Sequence, residues 1–394
     1  MMIRKECCKM KAIIHGNILT MSGENYENGS ILIDGGKILS IGHEIQIPTY
    51  AEIIDAMGCT VLPGFIDAHS HLGMWDESLG YEGADGNEYS DPVTPHLRAV
   101  DSIYPFDPPF KEAYKSGVTT VMTGPGSTNV IGGQFAAIKT FGECIDNMVV
   151  KAPAAMKCAL GENPKNYFGK NGKAPITRMG IIGILRDSLL SACDYLEKKI
   201  SAGDNPCRRP AFNVKYEALI PVLNRDIPIK IHCHRSDDIL SAIRIAKEFD
   251  IKMTLDHCTE GHLIVDHIVE SGLPVIIGPS FGFKSKPELR NKTFETAAVL
   301  CHAGVKTAIM TDHPVFSESD LPLFAGMAMN AGMTREEALS AITINAAEIM
   351  GIDDRVGSLD AGKDADIVIW QTDPLQIGGK TNCVMINGEV VYHI

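Results

Sequence analysis

No C-x-x-C pair occurs among the eleven cysteines of this 394-residue chain, and the count is odd. A chain this long has no need of disulfide staples, so most of the cysteines read as small buried hydrophobes in a reducing compartment. Basic residues are short as well: Lys and Arg number 36 against 49 Asp and Glu, for a formal net charge of -13. Binding a phosphate backbone requires clustered cations that displace counterions, and no such cluster is present, so a nucleic-acid partner is not expected. Runs of 18 apolar residues are lacking, which argues against a membrane span. The N-terminal "MMIRKECCKMKAII" carries charges but no apolar core of a secretion signal. Repeats and low-complexity tracts are missing too. These absences leave a cytoplasmic protein acting on a small molecule, with a homo-oligomer left open.

What is present is ordinary for a soluble enzyme: 45% apolar and 22% charged residues. The length exceeds what one hydrophobic core supports, so a large and a smaller domain are expected. Residues 11 to 62 break into short β-type runs separated by Asn-Gly, Gly-Gly and Met-Gly turns. The same texture returns in "ADIVIWQ" and "NCVMINGEVVYHI", with a hairpin signal at Asn387 and Gly388. One β domain built from residues 1–62 and 352–394 follows from this pairing of the two ends.

Between them, residues 63–351 alternate apolar runs with helical segments, the habit of a parallel α/β fold. Seven strands are legible: "GFIDAHSH", "GVTTVMTG", "APAAMKCALG", "IPIKIHCH", "KMTLDHC", "LPVIIG" and "VKTAIMTD". A (β/α)8 barrel needs an eighth, which would have to fall between residues 163 and 228, where no strand can be placed. The length still suits a barrel.

Active sites of such barrels sit at the C-terminal ends of the strands, so polar residues closing apolar runs are the ones to collect. His69 and His71 close the first run, Glu162 the third, His232 and His234 the fourth, His257 the fifth and Asp312 the last. Residues two apart on a strand share a face, so His69 and His71 can turn to one centre. Four imidazoles and a carboxylate suit Zn2+ or a similar divalent metal, one or two per chain. A second ion needs an anionic bridge, for which Glu162 is the candidate. The competing group, a carbamylated Lys157, lies five residues earlier, roughly 16 Å back along an extended strand, and depth argues against it. His234 is either a further ligand or a group touching substrate, with the second reading favoured. Cys233 and Cys258 alternate away from the centre, His262 and His267 fall on a helix, and His313 faces elsewhere.

The stretch "TGPGSTNVIGGQ" is glycine-rich but has Asn129 where a dinucleotide fingerprint needs its third glycine, and no P-loop lysine follows. It reads as a barrel loop whose Gly132, Gly133 and Gln134 could present N–H groups to a substrate carboxylate. Lys165 and Arg235 are alternative holders of the same anion.

The motifs "VLPGFIDAHSH", "KIHCH", "LDHC", "TDHP" and "GSLDAGKDADIVIW", in this order over nearly the whole chain, resemble the metal-dependent amidohydrolase superfamily, and within it the imidazolonepropionase-related branch. The resemblance implies a distorted TIM barrel with metal at its strand ends beside a β-sandwich from both termini. It implies His69, His71, His232, His257 and Asp312 as ligands, and Glu162 as similar to the bridging glutamate of members without a carbamylated lysine. Relatives that deaminate bases often carry a glutamate where this chain has Arg235, so the pattern leans toward hydrolysis of an amide, lactam or dipeptide. In that reaction Asp312 would take the proton of a metal-activated water and return it to the departing nitrogen, with His257 or His234 holding the oxyanion. A deaminase and an inactive binding subunit remain as alternatives, separated from the hydrolase by the ligand set.

Overall fold

The protein is described by a computed structural model covering residues 10–77 and 79–394. Residues 1–9 of the charged N-terminal stretch, including Cys7 and Cys8, lie outside the described residues. The centre of the molecule is an eight-stranded sheet whose spatial order follows the sequence. Its barrel strands are β1 (Phe65–Ser70), β2 (Val118–Thr123), β3 (Ile131–Lys139), β4 (Val149–Ala159), β5 (Ile229–Cys233), β6 (Met253–His257), β7 (Val275–Ile277) and β8 (Thr307–Ile309). The last strand returns to pack against the first, so the sheet is nearly closed. Every residue of β1, β2, β5 and β6 is buried, as expected of strands covered on both faces, which explains why they read as continuous apolar runs.

All seven legible strands form. The eighth is β3, and it corrects the expected topology: it lies at residues 131–139 and runs antiparallel to both β2 and β4. The segment where it was sought instead contains the helices Glu162–Lys170, Arg178–Ala202 and Val214–Leu223. Two glycines hid the strand. Gly133 takes a φ of +136°, and a Cβ there would lie 2.6 Å from the Leu97 carbonyl oxygen, so this close passage of two chains requires glycine. Gly132, Gly133 and Gln134 are therefore sheet residues rather than an anion-holding loop; the Gln134 N–H is spent on the Leu97 carbonyl at 2.8 Å.

Strands from both ends of the chain form a second eight-stranded sheet. Its order runs 389–393, 381–386, 367–370, 60–63, 11–18, 26–34, 37–42, with 52–55 pairing on 11–18. It has its own apolar core, centred on Ile13, Ile31, Ile38, Val61, Ile367 and Ile369. A buried ion cluster ties it to the barrel. Lys139 at the end of β3 reaches Asp366 at 2.5 Å and Asp364 at 3.0 Å, and Arg355 and Lys37 also pair with Asp364. Among the described residues no helix is long and apolar enough to cross a membrane, and their nine cysteines are free.

Candidate active site

The strands deliver their polar ends to one mouth of the barrel, where ligand-type atoms gather into two groups. His69, His71 and Asp312 form one, and His232, His234 and His257 the other, with the atoms of each group within 4.8 Å of one another. The two groups adjoin: the rings of His69 and His257 are 5.5 Å apart between centroids. His234 thus stands beside His232 and His257 as a third imidazole, at ring distances of 4.6 and 4.5 Å.

The hydrogen bonds set the imidazole tautomers. Nδ1 of His69 lies 2.5 Å from the Asp256 carboxylate, Nδ1 of His71 2.6 Å from the Gly124 carbonyl, and Nδ1 of His257 2.7 Å from the Gly278 carbonyl. Each Nδ1 must carry the proton to donate to these oxygens, which leaves each Nε2 with a lone pair. The lone pairs of His69 and His71 face Asp312 Oδ1, at 3.6 and 3.3 Å. The buried Nε2 of His257 and Nδ1 of His232 have no protein partner. Converging acceptors repel one another unless a cation lies among them, and beyond the Lys157 amine, 3.0 Å from His69 Nε2, this set fits a divalent metal.

Electrostatics agree. Burial holds the His69, His232 and His234 imidazoles well below their usual pKa, and brings His257 down to about 4, so they are neutral as metal ligands must be. Burial opposes ionisation of Asp312, yet the neighbouring His257 and His71 keep its carboxyl below the usual carboxylate range. His257 and Asp312 also adopt positive φ, +68° and +58°. Such strain in non-glycine residues is commonly found where a side chain is held for function.

Lys157 stands at the same centre. It is fully buried on β4, in register with Lys230 of β5, and its Nζ lies 3.0 Å from His69 Nε2. Burial, the dominant influence, lowers its pKa to about 8. The depth argument against it assumed a strand running to Glu162. The strand ends at Ala159, and the four-carbon stem of the lysine carries its amine the remaining way up the barrel. Glu162 instead opens a helix, gives its backbone N–H to Glu288 at 2.9 Å, and falls in neither ligand group.

The remaining expected residues are placed as follows. Arg235 is partly exposed and makes a bidentate pair with Asp237, outside the cavity above the ligands. Lys165 and the glycine-rich strand do not line that cavity either. The cavity is about 660 Å3 and is bounded by His71, His232, His234, His257 and Asp312 below and by Trp75, Phe281, Phe283 and Phe316 to the side. Another, of about 650 Å3, lies at the opposite barrel end between Lys151, Lys252 and Glu348 and contains none of the grouped ligands.

Sequence reasoning weighed Lys157 and set it aside on depth, and it missed Lys230, Asp256, Lys286 and Glu288. Lys230 donates to the Ala68 carbonyl at 2.9 Å and pairs with Asp256 at 3.0 Å, which in turn orients His69. The available signal was a lysine inside an otherwise apolar strand, in "AAMKCAL" and "IPIKIHC". Fully buried lysines are rare without a specific partner.

The amidohydrolase family model matches residues 60–391. The amidohydrolase tasK of Hapsidospora irregularis is 28% identical over 92% of this chain, which spans 40% of that longer protein. The imidazolonepropionase of Paracoccus denitrificans is 25% identical, with 92% of this chain and 93% of that one covered. Among solved structures, an amidohydrolase from Thermotoga maritima superimposes with a TM-score of 0.94 at 39% identity, covering 97% of this chain and all of the other. Matched along its length by the family model and sharing its barrel with the Thermotoga structure, the chain belongs to the amidohydrolase family, on its imidazolonepropionase-related branch, and is a hydrolase acting on C–N bonds.

Proposed function

We propose that this protein hydrolyses an amide, lactam or dipeptide-like C–N bond of a small molecule with the help of one or two divalent ions, zinc being the first candidate. The observation that carries the reading is the convergence of the His69, His71 and Asp312 acceptor atoms, whose imidazole protons are committed to backbone and carboxylate oxygens elsewhere. A bound ion supplies a lowered water pKa and polarisation of the scissile carbonyl. His69, His71 and Asp312 would hold one ion and His232 and His257 a second.

Lys157 is the proposed bridge between them. Its neutral amine would attack CO2, forming an N–C bond and losing one N–H proton to solvent, and so become an anionic carbamate. Asp312 would accept the proton of the attacking water through its carboxylate and deliver it to the departing nitrogen. His234, whose Nδ1 would accept from the Thr259 hydroxyl at 2.7 Å, would donate its Nε2–H to the developing oxyanion.

Amide hydrolysis is favoured over deamination because, among the described residues, no protonated acid faces the cavity. Glu288 comes nearest, 3.6 Å from His234, but although burial opposes it, His234 and Lys286 hold its pKa below the usual range. It therefore stays ionised and has no proton to give to a ring nitrogen.

The test combines elemental analysis with a screen of small amides, lactams, dipeptides and heterocyclic amines. Expected are at least one tightly held metal per chain and release of a carboxylate and an amine. Protein below about 0.3 metal per chain that gains no activity with zinc, or ammonia release from heterocycles well above any amide hydrolysis, would overturn the reading.

A further inference from the structure

The cavity is unequal in its chemistry. Among the described residues its floor holds one carboxylate, Asp312, and no other acidic side chain lines it, whereas its upper wall carries two lysines, Lys286 and Lys292. Lys292 is committed: its Nζ donates to the Phe281 carbonyl at 2.5 Å and faces that of Phe283, pinning the aromatic loop. Lys286 is only partly committed. It forms an ion pair with Glu288 Oε1 at 2.6 Å and donates to Asn163 Oδ1 at 3.1 Å, and its side chain remains 26% exposed at the cavity. An ammonium has three donors, so even with the Glu288 carboxylate beside it at least one is left for a ligand.

Asn163 links this cation to the reaction centre. Its Nδ2 lies 2.8 Å from the Ser127 hydroxyl and 3.4 Å from His232 Nε2. Lys286 is thus one carboxamide group away from an imidazole of the ligand set. That separation matches the few bonds between a carboxylate and the scissile carbonyl in an N-acyl amino acid or a dipeptide. In the same cavity, Phe281 and Phe283 are 42% and 83% exposed, and Phe281 packs on Phe316 at 5.8 Å. Large exposed aromatics at a cavity mouth suit an apolar ligand group.

We propose that Lys286 anchors a substrate carboxylate, and that the substrate is an amide bearing a free carboxylate and a bulky apolar group seated against Phe281, Phe283 and Phe316. This rests on the amide-hydrolase reading and assigns to Lys286 the task that Arg235 and Lys165 are too remote to perform. Lys286 does not touch the reacting atoms; it positions the substrate.

Calorimetric titration of the purified protein with N-acetyl-phenylalanine and benzoylglycine, each beside its neutral carboxamide, reads the proposal without requiring turnover. The parent is expected to prefer the carboxylates by about 10-fold or more, as a charge-assisted pair implies. Lys286→Met should abolish the preference while leaving carboxamide affinity within a few-fold, and Lys286→Arg should retain it. A structural loss caused by freeing Glu288 would weaken both ligands together and leave their ratio unchanged, which overturns the assignment. So does a parent that binds acid and amide equally or binds neither. If the preference and its loss are seen but no amide is cleaved, the anchor stands and the hydrolase reading falls.

Discussion

The Lys157 amine lies 3.0 Å from Nε2 of His69, on the lone pair that a metal would take. A neutral amine or ammonium in that position competes with a cation, whereas its carbamate would bridge two of them. Lys157→Ala is therefore expected to lower the metal content by at least one ion per chain and to remove a carbamate carbon signal seen by NMR after equilibration with carbon-13 bicarbonate. Glu162→Ala should leave the metal content unchanged. The reverse pattern would return the bridging role to Glu162.

Asp312→Asn keeps the shape of the side chain and a ligand oxygen but cannot accept a proton. Turnover on the best amide found should fall about 100-fold or more, the usual contribution of a general base. Steady-state kinetics near the parent level would assign the proton transfer to another group.

Lys139 is buried between Asp364 and Asp366, where β3 meets the terminal sheet. Removing Lys139 takes from buried Asp366 its paired cation, since Lys37 and Arg355 pair with Asp364, and stranding a buried charge costs about 3 to 5 kcal/mol. Lys139→Met should show a loss of this order in urea unfolding. A change under about 1 kcal/mol would mean that the hydrogen bond from the Asn387 N–H suffices for Asp366.

Glu318 is buried beside Asp67 and takes a hydrogen bond from the Ser70 hydroxyl. Burial first, and then the Asp67 charge, raise its pKa well above 4.5. From about pH 4.5 upward the unfolded chain loses this proton while the folded state keeps it, so folded stability is full at low pH and declines as pH rises toward the folded pKa. Glu318→Gln should flatten that decline and leave the variant more stable than the parent at pH 8. Denaturation curves with equal slopes against pH in both proteins would rule this out.

The sequence determined what short-range periodicity can encode. Seven apolar runs became the seven expected strands, and because alternation puts residues two apart on one face, His69 and His71 could be paired before any fold was known. His232, His257 and Asp312 were legible for the same reason: a polar residue closing an apolar strand is a local signal. Which groups meet at the centre was decided by tertiary structure. Lys157 counted as too deep until the true end of β4 and the length of its own side chain were set against His69, a neighbour 88 residues away in sequence. Lys286 reaches Asn163 only because the loop after β7 folds across the barrel mouth. The strand β3 escaped because glycines that mark turns locally were required here by the approach of Leu97, a constraint that exists only once two distant segments are packed together.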